Sequence, residues 1–165
     1  MTNLTDFFDL AIGSPMLIFI ITMHGFFLRQ ITDYFSRNYD LLERNYSAGK
    51  FDMTFITTIW LLLSAHLVEA LLWSLPMYGL AMFPSMRVAF YFAAQTYTTL
   101  GMGDVFLPPE WRLLGPIIAI SGLFTFGWTG SVLVVLVGEL GKLRIARYKG
   151  KTPLTAAADR PAARP

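Results

Sequence analysis

Apolar residues in this chain gather into long runs, and those runs divide it more clearly than any polar motif does. The first run is Ile12 to Leu28, a second extends from about Met53 to Leu75, and a third from about Leu113 to Val137. About 20 apolar residues are needed to cross the hydrocarbon core of a bilayer. The second and third runs meet that length. The first is short and is interrupted by His24 and Gly25, yet it still predicts a transmembrane helix. Ser14-Pro15 suits its start, with serine as the cap and proline at the first helical position. Pro76 predicts the end of the second span.

The segment between the first two runs has a different pattern. Ile31, Tyr34, Phe35, Leu41 and Leu42 share one helical face, while Arg29, Asp33, Arg37, Asp40 and Arg44 lie mostly elsewhere. Opposite charges four residues apart, Arg29–Asp33–Arg37 and Asp40–Arg44, support a helix weakly. The pattern fits an amphipathic helix lying at the cytoplasmic membrane surface. It fits equally well a cytoplasmic extension of the first span. Ser47-Ala48-Gly49-Lys50 predicts a turn.

Segment 76–112 is too broken by proline and glycine to cross a membrane. Within it, Met86 to Thr99 is apolar and aromatic, with the length of a re-entrant half-helix rather than a span. Non-helical backbone at membrane depth is tolerated only where protein buries it or water lines it. The glycine-bearing stretch that follows therefore predicts a pore or a cavity. The fold class expected is an all-α membrane protein with three transmembrane helices and a re-entrant helix and loop. Four units follow: 1–28 with the first span, 29–52 as the interfacial segment, 53–139 as the principal domain, and 140–165 as a basic, disordered tail.

Composition sharpens this picture. Charged residues make up 15% of the chain, against roughly 25% in soluble proteins, which excludes an ordinary soluble domain. The net charge of +2, with no basic patch among the aromatics, gives no reason to expect nucleic acid as a partner. The absence of cysteine excludes disulfides and thiolate metal sites. The N-terminus carries Asp6 and Asp9 and no basic residue, so it does not read as a secretory signal.

Lysine and arginine gather in two places, 29–52 and the segment after the third span, whereas 76–112 holds only Arg87 and Arg112. The positive-inside rule puts both basic segments in the cytoplasm. Three spans then place the N-terminus and the re-entrant loop outside, and the C-terminus inside, in the cell's inner (plasma) membrane. The Ala-, Pro- and Arg-rich tail from Lys151 predicts disorder.

The string Thr96-Tyr97-Thr98-Thr99-Leu100-Gly101-Met102-Gly103-Asp104 resembles the selectivity filter of tetrameric potassium channels, whose usual core is Thr-Val-Gly-Tyr-Gly followed by Asp. Tyr91-Phe92 matches the aromatic pair of that family's pore helix, and Gln95 stands where many bacterial members have glutamate. Pro108, Trp111 and Arg112 resemble the approach to the last helix, where Gly122 matches the hinge glycine, and Phe126-Gly127 and Gly138-Glu139 also fit. The resemblance covers about Met53 to Glu139.

It implies a homotetramer in a lipid bilayer that passes monovalent cations. No cofactor is implied beyond K+ held by the backbone carbonyls of Thr99, Leu100, Gly101 and Met102, with Gly103 closing the ion-binding stretch. Glycines at 101 and 103 allow positive φ without a Cβ penalty, so that successive carbonyls can turn inward. The side chains of Leu100 and Met102 are expected to turn away into packing. Tyr91, Phe92, Gln95, Thr98, Asp104 and Glu69 are expected to support the filter. Met102 departs from the family's tyrosine. It cannot donate the tyrosine's bond to the surrounding aromatics, and its soft thioether predicts relaxed selectivity.

Other residues carry two readings each. Gly122, Gly127 and Gly130 provide either a gating hinge, centred on Gly122, or close helix packing. Glu69 and His66 share one face of the second span. An ionisable residue there usually faces the protein interior, and Glu69 is expected to bond behind the pore helix with Gln95 or the Thr96 region, or else to reach solvent at the outer interface. His24 is expected to bond between helices. Asp104 and Glu110 predict acidic rings outside and Glu139 one inside, unless Glu139 pairs with Lys142.

Arg29, Arg37 and Arg44 lack the spacing of a voltage sensor, and no ligand-binding domain is read after the pore. No nucleophile–base set, metal cluster or phosphate loop is legible, so no enzyme is predicted. The competing function is a non-conducting or regulatory membrane subunit with the same fold.

Overall fold

The computed structural model describes residues 2–151, with side chains for 8–147. Helix α1 spans Thr2–Arg44, α2 Ala48–Gly79, α3 Met86–Tyr97 and α4 Leu114–Lys151, with one 3-10 turn at Pro109–Trp111. No strand occurs among the described residues. Stretches of α1, α2 and α4 are long and apolar enough to cross a membrane, and α3 at 12 residues is not. The all-α membrane architecture is thus the one its apolar runs predict.

The helices run further than the apolar runs. Pro15 lies inside α1 rather than at its start. Proline lacks a donor and crowds the preceding turn, but membrane helices tolerate it where neighbours satisfy the freed groups. The helix is also unbroken through 29–44, so the amphipathic stretch is an extension of α1 and not a separate surface helix. At 43 residues, α1 is about 65 Å long, roughly twice the hydrocarbon thickness.

The apolar face of that extension packs on protein. Phe35 and Leu42 join Leu136, Leu140 and Leu143 of α4 in a buried cluster. Leu41 remains exposed. The turn to α2 falls at 45–47, ahead of the expected Ser47–Lys50 position. Pro76 does not stop α2, which ends at Gly79. Helix α4 reaches Lys151, so 140–151 is helical rather than a disordered tail. The remainder of the predicted tail lies outside the described residues.

Helix α1 nests against both α2 and α4. Its buried stripe includes Gly13, Ile20, His24, Leu28, Ile31, Phe35 and Leu42, a helical period. A Cβ at Gly13 would lie 2.5 Å from Cδ1 of Ile117, and one at Gly25 would lie 2.9 Å from the Trp128 ring, so both glycines admit α4 side chains. Near the N-terminus of α4, the Leu113 N–H donates to Oδ2 of buried Asp9 at 2.9 Å. This carboxylate satisfies an amide at a helix start. Trp73 of α2 donates to Ser121 of α4 at 2.9 Å. The short α3 is capped by Ser85, which accepts from the Val88 amide, and buries Ala89, Phe92, Ala93 and Tyr97 between α2 and α4.

Candidate functional site

Residues 98–104 leave the C-terminal end of α3 and turn back along it. Two α3 side chains, one turn apart on the same face, hold them. The Met102 N–H donates to Oε1 of buried Gln95 at 2.8 Å. The Tyr91 hydroxyl donates to Oδ2 of Asp104 at 2.8 Å. The spacings match: four helical residues rise about 6 Å, and two extended residues span about 7 Å. The hydrogen bond to Asp104 is the main cause that raises the Tyr91 phenol above its ordinary pKa.

The backbone between these anchors has an ordered orientation. Leu100 and Gly101 N–H groups donate to the main-chain carbonyl of Gln95 at 2.8 and 3.2 Å. With Met102, three consecutive amides therefore point toward Gln95. There is no cis peptide among them, and in a trans peptide the N–H opposes the preceding C=O. The carbonyls of Thr99, Leu100 and Gly101 consequently point the other way, off the surface of α3.

Such a run requires alternating backbone conformations. Positive φ occurs at Thr99 (59°), Gly101 (55°) and Gly103 (75°). The glycines were expected to do this. Thr99 was not, and a β-branched residue in the left-handed region carries strain.

The other expected support residues are placed as follows. Phe92 is buried and its ring lies 5.1 Å from that of Phe83. Thr98 closes the helix end, its hydroxyl donating to the Ala94 carbonyl at 2.8 Å. Leu100 and Met102 are 64% and 63% exposed, so their own chain does not supply the packing expected of them. Gly122 is buried where α3 meets α4, and an added Cβ would lie 1.8 Å from the Tyr97 carbonyl oxygen. Close approach of two backbones is the observed reason for glycine there. Glu139 Oε1 accepts from Lys142 at 2.7 Å, so that alternative for Glu139 is realised.

Glu69 faces the interior, and its partner in the Thr96 region is the Tyr97 side chain; it makes no bond to Gln95. Its Oε1 lies 2.7 Å from Nδ1 of His24, and its Oε2 accepts from the Tyr97 hydroxyl at 2.5 Å. His66 Nδ1 lies 2.9 Å from that hydroxyl, and Thr125 Oγ1 lies 2.5 Å from it. Thr129 Oγ1 bridges His66 Nε2 at 3.0 Å and His24 Nε2 at 3.1 Å. Two histidines and a glutamate thus meet, with ligand-type atoms within 4.8 Å of one another. No such cluster was legible in sequence, because His24 stands on α1, the His66/Glu69 pair on α2, and the hydroxyls that join them on α3 and α4. The available signal was polar side chains standing within apolar runs: His24, the His66/Glu69 pair and the Thr125/Thr129 pair.

A family model described as an ion channel matches residues 55–139. The match takes in α2 from Phe55 onward, then α3, the anchored segment and α4 as far as Glu139.

The chain belongs to the ion channel family.

No curated protein and no solved structure matches it. Helix α1 of this channel chain lies outside the matched stretch, yet it supplies His24 to the cluster behind α3.

Proposed function

We propose that the chain is one subunit of a homotetrameric cation channel that conducts potassium in preference to sodium, with selectivity relaxed by Met102. The observation that carries this reading is the set of three amides turned toward Gln95, which directs the Thr99, Leu100 and Gly101 carbonyls to the opposite side. Rings of backbone carbonyls can replace the hydration shell of K+. A single loop cannot encircle an ion, so closure by four-fold symmetry is required. Exposed Leu100 and Met102 would then find packing against neighbouring subunits. The Met102 carbonyl and Gly103 extend the same ion path, and Asp104 stands at its outer mouth.

The orientation that fits puts the N-terminus and filter outside and the C-terminus in the cytoplasm, because the basic residues cluster in 29–52 and beyond the third span. Purified protein in liposomes tests the proposal. Potassium flux blocked by external barium is expected. Liposomes as tight as protein-free controls would count against it.

A further inference from the structure

Side chains from three helices turn ligand-type atoms toward one buried point. His24 comes from α1, His66 and Glu69 from α2, and Tyr97 from α3. His24, Glu69 and Tyr97 are essentially inaccessible, and His66 is 7% exposed. Carboxylates at such depth are paired or coordinate a metal. Among the described residues no lysine or arginine pairs with Glu69. Two imidazoles and a phenol meet it instead.

This donor set suits a transition metal. Imidazole favours zinc, copper, iron and nickel over magnesium and calcium, and two histidines with one glutamate are a recurring zinc set. Zinc bonds of about 2.1 Å in a tetrahedron put neighbouring donor atoms about 3.3 Å apart. The spacings here bracket that value. His24 Nδ1 lies 2.7 Å from Glu69 Oε1, His66 Nδ1 lies 3.7 Å from Glu69 Oε2, and the Tyr97 hydroxyl lies 2.9 Å from His66 Nδ1. One ligand atom from each histidine and from Glu69 lie within 4.8 Å of one another.

The surrounding contacts favour the same occupant. An imidazole that binds a metal through Nδ1 keeps its proton on Nε2, and ligating histidines usually donate that N–H to a neighbour. Thr129 Oγ1 stands 3.1 Å from Nε2 of His24 and 3.0 Å from Nε2 of His66, so one hydroxyl oxygen can accept from both. Thr125 Oγ1, 2.5 Å from the Tyr97 hydroxyl, holds a fourth donor in place. Coordination replaces the His24–Glu69 and His66–Tyr97 hydrogen bonds, and ligand protons leave as the ion enters.

We propose that His24, His66 and Glu69 bind one divalent transition-metal ion of the zinc class, with Tyr97 at the fourth corner and Thr129 as the positioning residue for both imidazoles. The ion clips α1, which lies outside the family match, to α2 and α3. The site does not depend on conduction, so absence of flux would defeat the channel reading alone.

Metal analysis of the full chain tests the site. The chain is expressed with added Zn2+, freed of any tag, purified in detergent and passed over a chelating resin. Wild type should retain one zinc per chain. H24Q and H66Q should each lose it while eluting as the wild-type protein does. Thr129→Val should weaken Zn2+ binding about 10–100-fold, and Thr129→Ser should restore it. Wild type without zinc, or zinc undiminished in both histidine variants, would overturn the proposal. The chain has two histidines, both at this site, so the zinc X-ray absorption spectrum of wild type decides the matter even where a variant fails to fold. Two imidazole nitrogens at about 2.0–2.1 Å are expected. A spectrum without imidazole would mean an adventitious ion only and would also overturn it.

Discussion

Gln95 and Met102 are joined through the side-chain carbonyl of one and the backbone amide of the other, 2.8 Å apart. This bond, rather than any contact of the Met102 side chain, orients the peptide between residues 101 and 102. Gln95→Leu keeps the volume but strands the Met102 N–H. A hydrogen bond of this kind contributes about 0.5–1.5 kcal/mol. Lower thermal stability and loss of K+ over Na+ preference are expected, measured by a melting scan and by ion flux. Gln95→Glu retains an acceptor and should behave close to wild type.

Met102→Tyr restores a hydroxyl at the position where potassium channels carry one. The side chain at 102 is 63% exposed within its own chain. A tyrosine there is expected to reach a donor or acceptor on the neighbouring pore helix and to stiffen the wall. The permeability ratio of K+ to Na+ should rise. An unchanged ratio would show that the wall does not limit selectivity.

Gly122→Ala places a methyl group 1.8 Å from the Tyr97 carbonyl oxygen. Backbone on both sides leaves little room to yield, and overpacking of this kind costs about 1–3 kcal/mol or more. The variant should melt earlier. Its effect on open probability would therefore report displacement of α3 as well as any bending of α4, so a Gly127→Ala comparison is needed. Gly127 has nothing within 4 Å of an added Cβ, and its substitution should leave stability nearly unchanged.

The Tyr91–Asp104 bond has a defined pH dependence. Donation to Asp104 raises the Tyr91 pKa, so the protonated phenol is the form that the folded chain favours. Its stabilising effect is fully present below the ordinary tyrosine value of about 10. It is lost as pH rises through the elevated folded value. Melting temperatures of wild type and Tyr91→Phe should differ at pH 8 and converge in strongly alkaline buffer. A difference that persists there would assign the effect to something other than this bond.

Much of this arrangement could be read from the chain before folding was considered. Long apolar runs announce spans, and the short Met86–Thr99 run announces a helix that cannot cross. Gly101 and Gly103 marked the left-handed positions. Thr99 escaped because propensity argues against it, and only the anchoring of the following amides to Gln95 imposes it. Helix ends were misjudged at Pro15 and Pro76, since proline signals a boundary in isolation but is accommodated among packed neighbours. Glu69 was expected to turn inward, but its partners depend on the angle at which four helices meet. No local pattern in one sequence encodes that angle. The pattern at 29–44 fitted a surface helix as well as an extension of the first span because Ile31, Phe35 and Leu42 form an apolar face, and α4 covers that face instead of lipid.

Reversal potential under bi-ionic conditions, potassium on one side and sodium on the other, tests the central claim most directly. The purified full chain in a planar bilayer should give a cation current whose reversal potential shows K+ more permeant than Na+, by less than an ideally selective pore would show. A reversal at zero, a sodium preference or an anion current would contradict it.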